Sequence, residues 1–126
     1  MASQTITVLS TQNTVPGQIV PVAIDGVTVE PITTINAGSE LYTVVDQSTG
    51  TTSTVATVAP VSGGAEGQFA VVRITGQSGT VIVTYTAVNT AGTTITNFGG
   101  VGDTIIFQGQ PTGVASALTA TYGTPV

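Results

Sequence analysis

Seven side chains carry all the formal charge of this 126-residue chain: Asp25, Glu30, Glu40, Asp46, Glu66, Asp103 and Arg73. Two kinds of chemistry are open to such a set. Paired carboxylates can divide general acid and base work across a scissile bond. Asp25, Glu30, Asp46 or Asp103 could also join backbone carbonyls around a calcium ion. Neither arrangement has sequence support, because the acids are dispersed, show no D-x-D-x-D spacing, and fall mostly at turns or strand ends. Turn capping and solubility are their ordinary roles. The chain has no histidine, cysteine or lysine. Ser-His-Asp and Cys-His nucleophiles, thiolate or imidazole metal sites and Schiff-base chemistry are therefore excluded. The glycines of "GGAEGQ" (63–68) match neither a phosphate-binding loop nor a dinucleotide fingerprint. The expectation is a non-enzymatic protein without a cofactor.

Arg73, the lone cation, sits mid-strand in "AVVRITG". It reads either as an outward arginine on a half-exposed strand, or as an inter-subunit or buried partner for one of the acids, with its planar guanidinium fixing register. One basic residue against a net charge of −5 argues against phosphate-backbone binding and against attraction to anionic membranes. Tyr42, Tyr85, Phe69, Phe98, Phe107 and Tyr122 are too scattered in sequence for a sugar-binding platform and suit core or interface packing.

Threonine (26), valine (19) and isoleucine (10) dominate the composition, against three leucines. β-Branched side chains fit extended backbone and crowd a helical turn, so the fold class is all-β. With 40% hydrophobic residues the chain can build a core and does not resemble a charge-rich disordered segment. The strands expected are Thr5–Leu9, Ile19–Ile24, Val27–Glu30, Leu41–Val45, Thr51–Ala59, Gln68–Thr75, Thr80–Val88, Thr93–Phe98, Asp103–Phe107 and Ala115–Thr121. Thr112–Ala120 is the one faint helical candidate. Asp25-Gly26 suits a type I′ hairpin turn, and Pro16, Pro21 and Pro31 keep their region at an edge or at strand ends. "YTVVDQSTGTT" (42–52) is echoed by "YTAVNTAGTT" (85–94). The echo reads as a repeated strand–turn–return, with glycine where positive φ is needed. The whole predicts a single antiparallel β-sandwich or small β-barrel of about eight to nine short strands. An N-terminal arm over 1–18, with a possible docking strand, precedes a β-sandwich domain over 19–126.

The segment "VTYTAVNTAGTTITNF" (83–98) is similar to hairpins of bacterial and archaeal surface β-sandwich repeats, which also place Tyr-Thr before an Asn/Asp–Gly turn. The likeness spans one hairpin and transfers no binding residue.

A surface made soluble by hydroxyls rather than charge suits a part repeated many times. Threonines such as Thr51, Thr52, Thr54, Thr57, Thr84 and Thr86 suit solvated strand faces or lateral packing between copies. No short strict repeat supports recognition of a regular lattice such as ice. The functional expectation is a structural subunit of a repeated outer assembly: a tailed-phage virion protein, such as a capsid decoration or head-fibre protein, placed on the virion surface. Its partners would be other copies, in a homo-oligomer, or a major shell protein, with no nucleic acid and no membrane insertion. The alternatives are an extracellular filament or surface-layer subunit assembled by strand complementation, and a carbohydrate or adhesion module. "MASQTITVLSTQ" lacks a basic segment followed by an apolar run, so no secretory signal is expected. Thr5, Ile6, Val8, Leu9 and Arg73 are the candidate interface residues, and an extended N-terminus can add to a neighbour's sheet edge.

Overall fold

A computed structural model describes residues 3–109, 115 and 117–126, the side chain of Phe98 excepted. The chain forms an all-β domain in which eight strands build two sheets. They are β1 (Thr5–Val8), β2 (Thr14–Gln18), β3 (Leu41–Asp46), β4 (Ala56–Pro60), β5 (Gln68–Arg73), β6 (Gly79–Val88), β7 (Thr94–Thr96) and β8 (Asp103–Phe107). The five-stranded sheet has the order β1-β8-β6-β3, with β7 also on β6; the three-stranded sheet has the order β2-β5-β4.

Period-two alternation decides which side chains go inside. Val81 and Val83 of β6, Ile105 and Phe107 of β8, Val44 of β3 and Val8 of β1 bury one face of the larger sheet. They join Phe69 and Val71 of β5 and Ala56 of β4 in one hydrophobic cluster with Ile19 and Val55.

The expected all-antiparallel pairing is corrected at one place. β1 runs parallel to β8, Thr5 opposite Thr104 through Val8 opposite Phe107, while the other ladders are antiparallel. Alternation shows which face is buried but carries no information on strand direction. The segment expected as an N-terminal arm is built into both sheets, as β1 and as β2, an edge strand that accommodates Pro16.

The Asp25-Gly26 turn also differs from expectation. Among the described residues no non-glycine residue has positive φ, so Asp25 does not adopt the type I′ conformation. The turn closes from Gly26 N–H to Ala23 O (2.9 Å), with Gly26 at φ 72°. Its flanking arms reduce to a single antiparallel bridge, Val22 to Val29. Residues 115 and 117–121 form no strand, and residues 117–120 no helix. Residue 115 is likewise not helical, and residues 112–114 and 116 of these two expected elements lie outside the described residues.

The echo is two turns of similar design. After β3, Gly50 N–H donates to Asp46 O (2.7 Å) with Gly50 at φ 68°; after β6, Gly92 N–H donates to Asn89 O (2.9 Å) with Gly92 at φ 82°. The first return arm does not continue as one strand. Thr52 bridges back to Val45, and the chain then crosses to the second sheet as β4. Asp46, buried at the end of β3, fixes that crossing. Its carboxylate accepts from Ser53 Oγ (2.6 Å), Thr54 N–H (3.0 Å) and Thr54 Oγ1 (2.8 Å). The Ser53 bond, first among these, holds the Asp46 pKa below its ordinary value.

Candidate functional site

Arg73 follows Phe69 and Val71 on the inward face of β5 and is 5% exposed. Its partners are carbonyl oxygens, not acids. Nη1 donates to Gln77 O (2.8 Å) and Gln108 O (2.5 Å), Nη2 to Leu9 O (3.1 Å) and Gln12 O (3.1 Å), and Nε to Gln12 O (3.3 Å). The guanidinium also lies over the Phe107 ring, 5.2 Å from its centroid. It therefore ties the β1–β2 turn, the β5–β6 turn and the end of β8 together. The cage corrects the expectation of an outward side chain; the burial expected in the other reading is found, but with carbonyls of the same chain as partners in place of an acid.

Of the other candidate interface residues, Val8 is buried and Ile6 is half-buried against the core. Thr5 is exposed, and Leu9 is 49% exposed. They stand on or beside β1, whose outer edge pairs with no other strand among the described residues.

The aromatic residues are less scattered in space than in sequence. Phe69 stacks between Tyr42 (4.8 Å between ring centroids) and Tyr85 (6.1 Å). This cluster forms part of the packing between the sheets, while Tyr122 stands exposed outside both.

A cleft of about 760 Å³ opens at one end of the larger sheet. One wall is the ribbon around Val20–Ile24; the other is the end of β6 with β7 and the residues leading to β8. β7 and β8 follow one another along the same edge of β6, pairing with Val88–Thr86 and then Val83–Gly79. Between them the chain leaves the ladder over 97–102. Asn97 fills the gap with its side chain: Oδ1 accepts the Tyr85 N–H (2.9 Å), while its buried Nδ2 has no partner among the described residues. Gly102 makes the re-entry possible, because a Cβ there would stand 2.5 Å from Val83 O. The Tyr85 hydroxyl donates to Asp103 Oδ2 (3.1 Å), and burial followed by that carboxylate pushes the Tyr85 pKa up to about 12. Asp103 Oδ1 in turn accepts the Gln4 N–H (3.0 Å). The cleft thus has an apolar floor of Ile35, Ala87 and Ile95, with polar groups at one end.

A smaller pocket of about 180 Å³ holds Glu40 and Glu66. Burial, then a hydrogen bond to Glu66, raises the Glu40 pKa; the same hydrogen bond lowers that of Glu66, whose Oε1 also accepts the Gly38 N–H (2.9 Å). Of the two carboxyls, Glu40 is thus the one more readily protonated. Burial and these two carboxyls raise the Tyr42 phenol. Among the described residues no three acids gather into a metal-binding group. Asp25 instead accepts from Val27 N–H, Thr28 N–H and Thr28 Oγ1. The Thr28 hydroxyl bond, first among these, lowers its pKa to about 2.

No helix among the described residues is long and apolar enough to cross a membrane. Sequence reasoning missed the cleft and the Glu40–Glu66 pair, both of which are assembled from distant segments. No family model matches this chain, and no curated protein or solved structure shows similarity to it.

Proposed function

We propose that this chain is a non-enzymatic structural subunit of a repeated outer assembly, its two sheets packed as a sandwich and its surface docking against other copies or a shell protein. The observation that carries this reading is the disposition of Arg73. The single cation is spent on carbonyls of its own chain. The surface is left with acids, hydroxyls and exposed apolar residues such as Ile24, Val27, Val29, Leu41 and Val101. Such a surface favours docking through apolar contact and sheet edges rather than through charge. Its more specific form is a tailed-phage capsid decoration or head-fibre protein on the virion surface. A filament or surface-layer subunit at the cell surface shares the same physics.

A second reading, a carbohydrate or adhesion module, draws support from the cleft with Tyr85, Asn97 and Asp103 at one end.

Solution mass by light scattering and negative-stain imaging of one sample test the assembly reading. Discrete oligomers that bind undecorated phage heads support the decoration form, and fibres or sheets support the filament form. A monomer at every concentration, binding a saccharide, overturns assembly in favour of the module. Deleting Met1–Gln12 is a poor test of docking, because it removes buried Val8 and the Leu9 and Gln12 carbonyls that hold Arg73.

A further inference from the structure

Among the described residues, the cleft has the character of an open strand position. β1 covers the outer edge of β8 from Thr5 onward, whereas β7 is paired with β6 alone among the described residues. Because β1 is parallel to β8, and β7 precedes β8 along the same edge of β6, the line of β1 continued back through Gln4 and Ser3 passes beside β7. Ser3, Gln4 and Thr94–Thr96 all border the cleft, and Val20 and Ile24 stand exposed on the opposite wall. An extended segment placed there would meet the free edge of β7 on one side and apolar side chains on the other.

The same chain carries a segment patterned for that position. Residues 117–126 lie outside both sheets and are exposed throughout. Leu118, Ala120 and Tyr122 alternate with Thr119 and Thr121, which puts an apolar set on one face of an extended strand. Leu118 and Tyr122 are each 92% exposed. Among the described residues, both the segment and the cleft are left uncovered.

We propose that residues 117–126 of one copy add as a strand to the free edge of β7 in a second copy, with Leu118 and Tyr122 filling the cleft. This rests on the assembly reading above, whose partner it names. Charge is compatible with that occupant. Glu30 and Asp103 border the cleft and would repel an acidic peptide, while no side chain after Asp103 is charged. The contact area decides how copies are linked. A stable interface engages roughly 20–30 residues on each partner. One donated ten-residue segment falls short, whereas a copy that both gives its segment and receives another approaches that number. Reciprocal exchange closes a dimer; donation passed from copy to copy closes a ring or extends a fibre.

The test compares the full chain with the double variant Leu118→Asp/Tyr122→Asp by sedimentation and by hydrogen exchange. Both substituted positions are exposed, so the variant should keep the circular dichroism of the parent. Val20→Asp, on the acceptor wall, gives a second variant that leaves the donor intact. The expected result is concentration-dependent assembly of the parent, weakened at least about tenfold in each variant, with the Thr94–Thr96 amides slowed only in the assembled parent. A synthetic peptide of residues 115–126 should compete. Equal assembly of parent and variants overturns strand donation but leaves the assembly reading intact. A parent that stays monomeric overturns strand donation, and one that also binds a saccharide overturns the assembly reading as well. Slow exchange over 117–122 in that monomer would show the segment folding back into its own cleft.

Discussion

Tyr42 stands directly opposite Tyr85 in the antiparallel register of β3 and β6, and Thr43 stands opposite Thr84 with their hydroxyls hydrogen-bonded. The two echoed segments therefore start from facing positions on neighbouring strands and run apart, one toward Asp46 and the other toward Asn89. At each end the heading residue holds the turn through its side chain. Asp46 binds Ser53 and Thr54, while Asn89 Oδ1 accepts from the N–H groups of Ala91 (3.1 Å) and Thr93 (2.9 Å). The repeat is a local two-fold arrangement of turn chemistry about the Tyr42–Tyr85 pair, with no catalytic role required.

Replacing Arg73 with lysine should destabilise the fold by about 3 kcal/mol, since a single ammonium cannot serve the four carbonyls now bound and a buried charge would be left poorly paired. Urea denaturation should show a lower midpoint with an unchanged slope. A variant as stable as the parent would remove the cage from the account of the core.

Gly17→Ala should be costly for a packing reason. A Cβ at residue 17 would stand 2.3 Å from the Phe69 ring, which is held between Tyr42 and Tyr85. Overpacking of this kind costs about 1–3 kcal/mol. Thermal unfolding of the variant should show it, and Phe69→Leu in the same background should recover part of the loss.

Acid should weaken the fold in a defined window. Asp25 and Asp46 both have folded pKa values below the ordinary 3.8, that of Asp25 about 2. Groups depressed in this way stabilise the fold above their unfolded pKa and lose that contribution as pH falls through the folded value. Melting temperature should decline from about pH 4 toward pH 2. Asp46→Asn should flatten part of the decline and lower stability at neutral pH.

Glu40 should act in the opposite sense. Its folded pKa is raised above 4.5, so its proton favours the fold below that pH, and the benefit is lost as pH rises through the folded value. Glu66 and the Tyr42 phenol are the titratable groups facing it. Glu40→Gln keeps a neutral donor at every pH. The variant should therefore melt higher than the parent at neutral pH and match it near pH 4. A parent and variant with parallel pH curves would dismiss the raised Glu40 pKa.

Much of the ladder was legible where alternation was clean. Asp103–Phe107 matched its expected bounds, and Leu41–Asp46, Gln68–Arg73 and Gly79–Val88 matched to within one or two residues. β2 was hidden because Pro16 and Gly17 interrupt its alternation, although an edge position tolerates both. The Thr51–Ala59 run concealed a change of sheet, since its alternation continues across the crossing that Asp46 fixes. For Arg73 the signal was present and outweighed: period two from Phe69 and Val71 puts residue 73 inside, but charge argued for the outside. The cleft lay beyond pattern reading. It depends on the parallel placement of β1 against β8 and on the Asn97 gap, both set by tertiary packing among segments far apart in the chain.

That parallel β1–β8 pairing also governs how the domain bears load. It joins Thr5–Val8 to Thr104–Phe107, about a hundred residues apart, so the larger sheet cannot close until β8 is available to pair. Tension applied at the two chain ends pulls β1 from its start and β8 from its finish, in opposite senses. The ladder is then strained along its length, and its hydrogen bonds share the force instead of opening one after another. Stretching single molecules would register this as one abrupt rupture at high force. The pairing makes the domain a mechanical clasp, hardest to open along the line from the start of β1 to the finish of β8.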